Sequence, residues 1–118
     1  MATRVLIVDD DRSFRRAAAM LLCARGFEVV GEAADGREAI AAIEALQPDA
    51  VLLDVHLPDG DGPELARRLS PDGWGPRVLL TSSDADAASQ ELAERCGAAG
   101  FVAKTALASA GLQRYWRR

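Results

Sequence analysis

Histidine is nearly missing from this chain, with His56 its single example, and cysteine occurs only twice, at Cys23 and Cys96. One imidazole and two widely separated thiols do not have the spacing of a zinc or iron–sulfur site. The two cysteines are expected to be small buried hydrophobes in a reducing compartment. Positive charge is also short. Fourteen Lys and Arg face 18 Asp and Glu, for a net charge of −4. That balance argues against a nucleic-acid surface, which needs clustered cations. Arg114, Arg117 and Arg118 make a small basic tip that reads as a solvated helix end, where cations suit the helix dipole. Long apolar runs are lacking as well. No stretch approaches the roughly 18 residues a membrane helix requires, and the opening "MATRVLIV" lacks a signal-peptide layout. No linker, low-complexity tract or second domain is visible. The expectation is one soluble, cytoplasmic domain over 1–118, without membrane contact or direct nucleic-acid binding. At 49% hydrophobic over 118 residues, the chain is long enough for a single core.

What the chain does have is a rhythm. Apolar runs of strand length recur at "RVLIV" (4–8), "FEVVGE" (27–32), "AVLLD" (50–54), "RVLLT" (77–81) and "GFVAK" (100–104). Three of them are solidly aliphatic rather than alternating, as befits strands covered on both faces. Helical patterns lie between. Phe14, Ala18, Leu21, Leu22 and Arg25 follow helical spacing up to Gly26, with Asp11 as the N-cap. Asp35 and Glu38 have the spacing of a capping box ahead of Ile40 and Ile43. Pro63 suits a first helical position before Leu65 and Leu69. An Ala-rich helix is expected from about Asp84 to Cys96, stopping at Gly97. A final helix carries Leu107, Leu112, Tyr115 and Trp116, weakened at Gly111 by about 1 kcal/mol. One of Tyr115 and Trp116 is expected to pack on the sheet and the other to stay exposed as a partner anchor. Trp74 is expected to cover the far end of the core. Five alternations of strand and helix with short connections predict an α/β domain, a parallel sheet with helices on both faces.

The polar residues collect at one place in that pattern. Asp9 and Asp10 end the first strand, Asp54 the third, Thr81 the fourth and Lys104 the fifth. In an open parallel sheet the carboxyl ends of all strands lie along one rim, where ligands bind. Two carboxylates about 4 Å apart repel by roughly 4 kcal/mol at an effective dielectric near 20. Such a cluster calls for a raised pKa or a bound cation. Oxygen-only donors with open positions suit Mg2+ shared with a phosphate. A carboxylate, a hard cation, a hydroxyl and an ammonium together make a phosphoryl-transfer site.

"VLIVDDD", "VLLDVHLPDGDG", "VLLTSS" and "GFVAK", in this order over essentially the whole chain, resemble the receiver (CheY-like) domain of bacterial two-component response regulators. The resemblance implies a flavodoxin-like doubly wound (βα)5 sandwich with strand order 2-1-3-4-5. It implies that Asp54 is the phosphoacceptor, taking a phosphoryl group from a histidine kinase or phosphotransfer protein. Asp10 and Asp54 would hold Mg2+ directly, Asp9 through water and His56 through its backbone carbonyl, its ring facing solvent. Lys104 would pair with Asp54 at rest and hold a phosphoryl oxygen afterwards. The Thr81 hydroxyl and the Ser82 backbone N–H would bind further oxygens, and Phe101 would be a switch aromatic packing inward when Thr81 moves. The fourth helix, fifth strand and fifth helix would form the face that meets a downstream protein or a second copy of the chain.

One position departs from the pattern. Thr105 stands where the family often has proline after the lysine, as in receivers joined to LuxR-type effectors. A cis bond before a non-proline costs about 2.5–4 kcal/mol, so a trans Lys104–Thr105 bond is expected. Thr105 is instead expected to cap the final helix. Two other readings compete. In a haloacid-dehalogenase-type phosphatase, Asp9 and Asp11 would be the paired acids, which leaves Asp54 unexplained. A degenerate receiver would dock partners without taking phosphate. The receiver itself is expected to be a signalling phosphoacceptor rather than an enzyme, although it assists its own phosphorylation and dephosphorylation.

Overall fold

Neighbouring residues of a strand point to opposite faces, so an unbroken aliphatic run demands apolar cover on both sides. The computed structural model, which describes residues 2–69, 75–84, 86 and 88–116, meets that demand with a three-layer arrangement. The strands β1 (Arg4–Val8), β2 (Glu28–Ala33), β3 (Ala50–Asp54), β4 (Arg77–Ser82) and β5 (Gly100–Ala103) form one sheet. Its order is β2-β1-β3-β4-β5, and every pairing is parallel. This is the flavodoxin-like order. The helices are α1 (Arg12–Ala24), α2 (Gly36–Leu46), α3 (Gly62–Leu69), α4 (Ser89–Arg95) and α5 (Gln113–Trp116), with a 3-10 segment over Lys104–Ser109.

The two cores follow the alternation. Val5, Ile7, Leu52 and Leu79 face Ala18 and Leu22 of α1, together with Leu107, Leu112 and Trp116. Leu6, Val8, Leu53 and Leu80 face Ala39 of α2, Leu65 of α3 and Ala93 of α4. Strand β3 has all five residues buried, and its tip is Asp54. The middle of the sheet is thus rigid where it delivers an acid.

The local signals act as their chemistry requires. The Asp11 carboxylate accepts from the amides of Ser13 and Phe14 and caps α1. Asp35 accepts from Glu38 N–H, while the Glu38 side chain reaches back to Ala34 N–H, closing the box one residue early. Gly26 and Gly97 take positive φ (88° and 78°) behind α1 and α4, a conformation that favours glycine. A short antiparallel pair, His56–Leu57 with Gly60–Asp61, turns the chain from β3 into α3.

The fourth and fifth helices are shorter than their patterns predict. Ser82 Oγ accepts from Asp84 N–H, and Ser89 Oγ accepts from Asp86 N–H. These side chains hold local turns that compete with helix, so α4 starts only at Ser89. At the C-terminal end the Arg25 guanidinium donates to the carbonyls of Ala108 and Ala110. With those acceptors satisfied from outside and Ala110 extended (φ −78°, ψ 147°), the 3-10 turn cannot run on into α5. Thr105 is therefore not an N-cap. It lies inside the 3-10 segment, whose cap position is Ala103 and has no side-chain bond.

Other expectations are corrected by packing. Cys96 is buried but Cys23 is exposed, on the outer face of α1. Trp116 is buried edge-on against Phe27, with ring centroids 5.3 Å apart. Tyr115 is not a free anchor: it is half-buried against the α1 side of the core, where Gly100 makes room for its ring. No described peptide bond is cis, so Lys104–Thr105 is trans as expected. Trp74, Arg117 and Arg118 lie outside the described residues, and with them the expectations placed there. Among the described residues no helix is long and apolar enough to cross a membrane.

Gly62 is the tightest point of the turn behind Asp54, since a Cβ there would overlap the Asp54 carbonyl oxygen. Backbone cannot yield as a flexible side chain would. Gly62→Ala is expected to destabilise the protein by about 1–3 kcal/mol, read as a lower urea midpoint at unchanged m-value.

Candidate functional site: an acidic rim around one ammonium

The carboxyl ends of β1, β3, β4 and β5 meet at one rim. Val8 is in register with Leu53, Asp54 with Thr81, and Thr81 with Val102. The residue after β1 is Asp9, fully buried, and its neighbour Asp10 is exposed. Carboxylate oxygens of Asp9, Asp10 and Asp54 lie within 4.8 Å of one another. Lys104, the residue after β5, sends its Nζ into this group, 2.7 Å from Asp9 Oδ2 and 3.6 Å from Asp54 Oδ2.

Each buried acid is held the same way. Asp9 Oδ1 accepts from Asp11 N–H at 2.8 Å, and Asp54 Oδ1 accepts from His56 N–H at 3.2 Å. In both, one oxygen is tied to the backbone two residues on, and the other faces the ammonium. Arg15 of α1 braces the first strand's end, donating to the Asp9 carbonyl at 2.7 Å and pairing with Glu32 at 2.9 Å.

The electrostatics follow from this crowding. Burial pushes the Asp54 carboxyl above its usual range, and the charges of Asp9 and Asp10 push the same way. The His56 amide and the Lys104 ammonium oppose the rise without cancelling it. Burial alone would lower the Lys104 pKa, but its hydrogen bond to Asp9 and the charges of Asp54, Asp9 and Asp11 carry it above the ordinary value. An acid that resists ionisation beside two others has reason to accept a divalent cation. The donors are oxygens only, two buried and one open to solvent, which fits Mg2+ rather than a softer metal.

Thr81 and Ser82 complete the rim. Thr81 is buried, and its Oγ1 has no hydrogen-bond partner among the described residues. A lone buried hydroxyl costs free energy unless something binds it. Phe101 is buried inward with Leu53, Leu80 and Ala93. A cleft of about 290 Å3, lined in part by Val55, His56, Ser82, Leu92 and Phe101, opens between the rim and α4. His56 is solvent-exposed. Asp11 serves as the α1 cap rather than as a further rim acid.

Lys104 is paired with Asp54 at 3.6 Å and also, more closely, with the more deeply buried Asp9 at 2.7 Å, a second partner that the strand-end pattern alone does not announce. Three residues escaped the sequence reading. Arg15 was hidden in a helical pattern. Asp61 accepts from Glu64 N–H at 2.7 Å and caps α3; an acid three residues before Glu64 was the available signal. Asp59 accepts from the amides of Gly36 and Arg37, strapping the β3–α3 turn to the start of α2. Those two bonds hold its carboxyl below the ordinary value, and nothing in the sequence announces them.

This site lies on a fold already known. The chain belongs to the response regulator receiver domain family, whose model matches residues 5–115. It is a receiver domain of two-component signalling, a family in which phosphorylation and Mg2+ use are general. It is 38% identical over 100 residues to the transcriptional regulatory protein PdtaR of Mycobacterium tuberculosis, covering 85% of this chain and 47% of that protein. The chain thus spans about half the length of that relative. A LuxR-family two-component response regulator from Aurantimonas sp. SI85-9A1 superposes with a TM-score of 0.86 at 31% identity, covering 96% of this chain and 81% of that one. A CheX–CheY–BeF3–Mg2+ complex from Borrelia burgdorferi gives a TM-score of 0.80 at 25% identity, over 95% and 85% of the two chains.

The direction of the Asp54 shift has a consequence for stability. A carboxyl whose folded pKa lies above its unfolded value costs stability when ionised, and the cost is relieved as pH falls through the folded value. Asp54→Asn is expected to raise the thermal midpoint at pH 7 in metal-free buffer. The advantage over the parent should vanish as pH falls below the ordinary carboxylate value, and parallel melting curves across that range measure it.

Proposed function

We propose that Asp54 is the phosphoacceptor of this receiver, and that the rim around it binds Mg2+. The observation that carries the reading is a buried carboxylate flanked by two acids, one ammonium and an unsatisfied hydroxyl. Asp10 and Asp54 hold the cation directly. The burial of Asp9 and its ion pair with Lys104 support an indirect contact through water. His56 contributes its backbone carbonyl. When bound, Mg2+ neutralises charge on the transferring phosphoryl oxygens.

The chain's own groups do the rest. A carboxylate oxygen of Asp54 attacks phosphorus in line, and the O–P bond forms as the P–N bond of a partner's phosphohistidine breaks. Lys104 moves its ammonium from Asp9 toward a phosphoryl oxygen. The Thr81 hydroxyl donates to another, relieving its own lack of a partner, and Ser82 N–H holds a third. The new group adds about −1.5 to −2 of charge. Drawing Thr81 toward it changes the β4–α4 loop above Phe101, provided the altered arrangement binds the phosphoryl group better than the resting one. The face built from α4, β5 and α5 then meets a downstream protein or a second copy. The setting is cytoplasmic, the donor a histidine kinase or phosphotransfer protein, and the module a phosphoacceptor that assists its own modification and its reversal.

Incubation with Mg2+ and acetyl phosphate, followed by mapping of the adduct, tests this. Modification at Asp54, absent in Asp54→Asn and without Mg2+, is the expected result. An adduct at Asp9 would instead support the phosphatase reading, and none at all a docking module. The His56 ring is exposed and makes no bond to the rim, so His56→Asn is expected to leave the lifetime of the acyl phosphate unchanged. A changed lifetime would bring the ring into the mechanism.

A further inference from the structure

Beside the Lys104 ammonium lies a group that is neither an acid nor a hydroxyl. Nζ stands 4.3 Å from the centroid of the Phe14 ring. A cation over an aromatic face within about 6 Å is drawn to the ring's negative quadrupole, more strongly as water is excluded. Water is partly excluded here: Phe14 is half-buried against the α1 side of the core, and the Lys104 side chain is only 18% exposed. We infer that Phe14 is a positioning residue for phosphoryl transfer, its ring face holding the Lys104 ammonium within reach of Asp54. The inference rests on the role given to Lys104 above.

The need for such a restraint is visible in the backbone. Lys104 opens the 3-10 segment, whose cap position makes no side-chain bond. Thr105 follows it, without a ring to stiffen the chain. A lysine has a flexible four-carbon stem and a compact charge, so its position is set by what surrounds the ammonium. At rest Asp9 takes it at 2.7 Å and Asp54 stands off at 3.6 Å. A further carboxylate beside it would compete with the phosphoryl group for the cation. A neutral ring does not: it restrains the charge while leaving the balance of anions unchanged.

The ring is itself well placed to act as a fixed support. Asp11 accepts from Phe14 N–H in capping α1, and the next residue, Arg15, is bonded to the Asp9 carbonyl and to Glu32. One seven-residue stretch, 9–15, therefore supplies two rim acids, a helix cap, the ring and a brace. The turn that carries the ring is tied to the strand end that carries the acids, so the two cannot shift independently.

Progressively fluorinated phenylalanines at position 14 keep the ring's shape while draining its quadrupole. With acetyl phosphate and Mg2+, the rate of Asp54 modification is expected to fall with each added fluorine, to about one third for the most substituted ring. The thermal midpoint should stay constant across the series. The Lys104 ε-protons should be shifted upfield by the ring current, and Phe14→Leu should abolish that shift. In a Lys104→Met background the fluorine series should be flat. A flat series in the parent with normal Asp54 modification, an absent ring-current shift, or an equal decline in Lys104→Met would overturn the inference. Failure of the unsubstituted protein to form any Asp54 adduct would instead remove the proposed function, and this inference with it.

Discussion

Two carboxylates have been taken out of water within reach of one another, and a single ammonium stands between them. Asp9 and Asp54 are both buried, and Lys104 is the cation they share. Buried charges persist only when paired and hydrogen-bonded, so the rest of the rim can be understood as support for that triad. Backbone amides of Asp11 and His56 take one oxygen of each acid. Arg15 holds the strand end beneath Asp9, and Phe14 lies beside the ammonium. The compensation is incomplete, which is why Asp54 stays above its ordinary pKa. A fully neutralised cluster would have little use for a metal ion or a phosphoryl group.

The sheet makes that tension sustainable. Its central strands are packed on both faces, and β3 is buried along its whole length. Close-packed interiors deform little, so the acids cannot drift apart to relieve their repulsion. The elements around the rim are of another kind. The β4–α4 connection is held by serine and aspartate side chains, and the C-terminal segment is a 3-10 turn followed by four helical residues. Rigid strands present the charge, and the described parts of the connections beside it are held by side chains rather than by packed aliphatic runs.

Much of this could be read from the chain alone. The aliphatic runs of β1, β3 and β4 announced a sheet covered on both faces, and Asp11, Asp35, Gly26 and Gly97 announced where helices begin and end. These are local signals, since a cap or a run acts through neighbours within a few residues. The readings that failed depended on distant partners. The final helix looked continuous because Arg25, more than 80 residues earlier, is what takes the carbonyls of Ala108 and Ala110. The pattern predicts that one of Tyr115 and Trp116 is exposed, yet neither is, because Gly100, which accommodates the Tyr115 ring, belongs to another element. Asp59, for which the pattern gives no expectation, escaped for the same reason: its two donors belong to α2.

The candidate site divides along the same line. Which residues stand at the rim was decided by sequence, because a parallel sheet puts the carboxyl end of every strand on one edge wherever the helices lie. How they share their charge was decided only by the tertiary structure. Lys104 stands closer to Asp9 than to Asp54 while pairing with both, and Phe14 proved to be its neighbour rather than an anonymous core residue. Burial and distance govern electrostatic pairing, and both are properties of the packed whole, whereas propensity and pattern are properties of the chain.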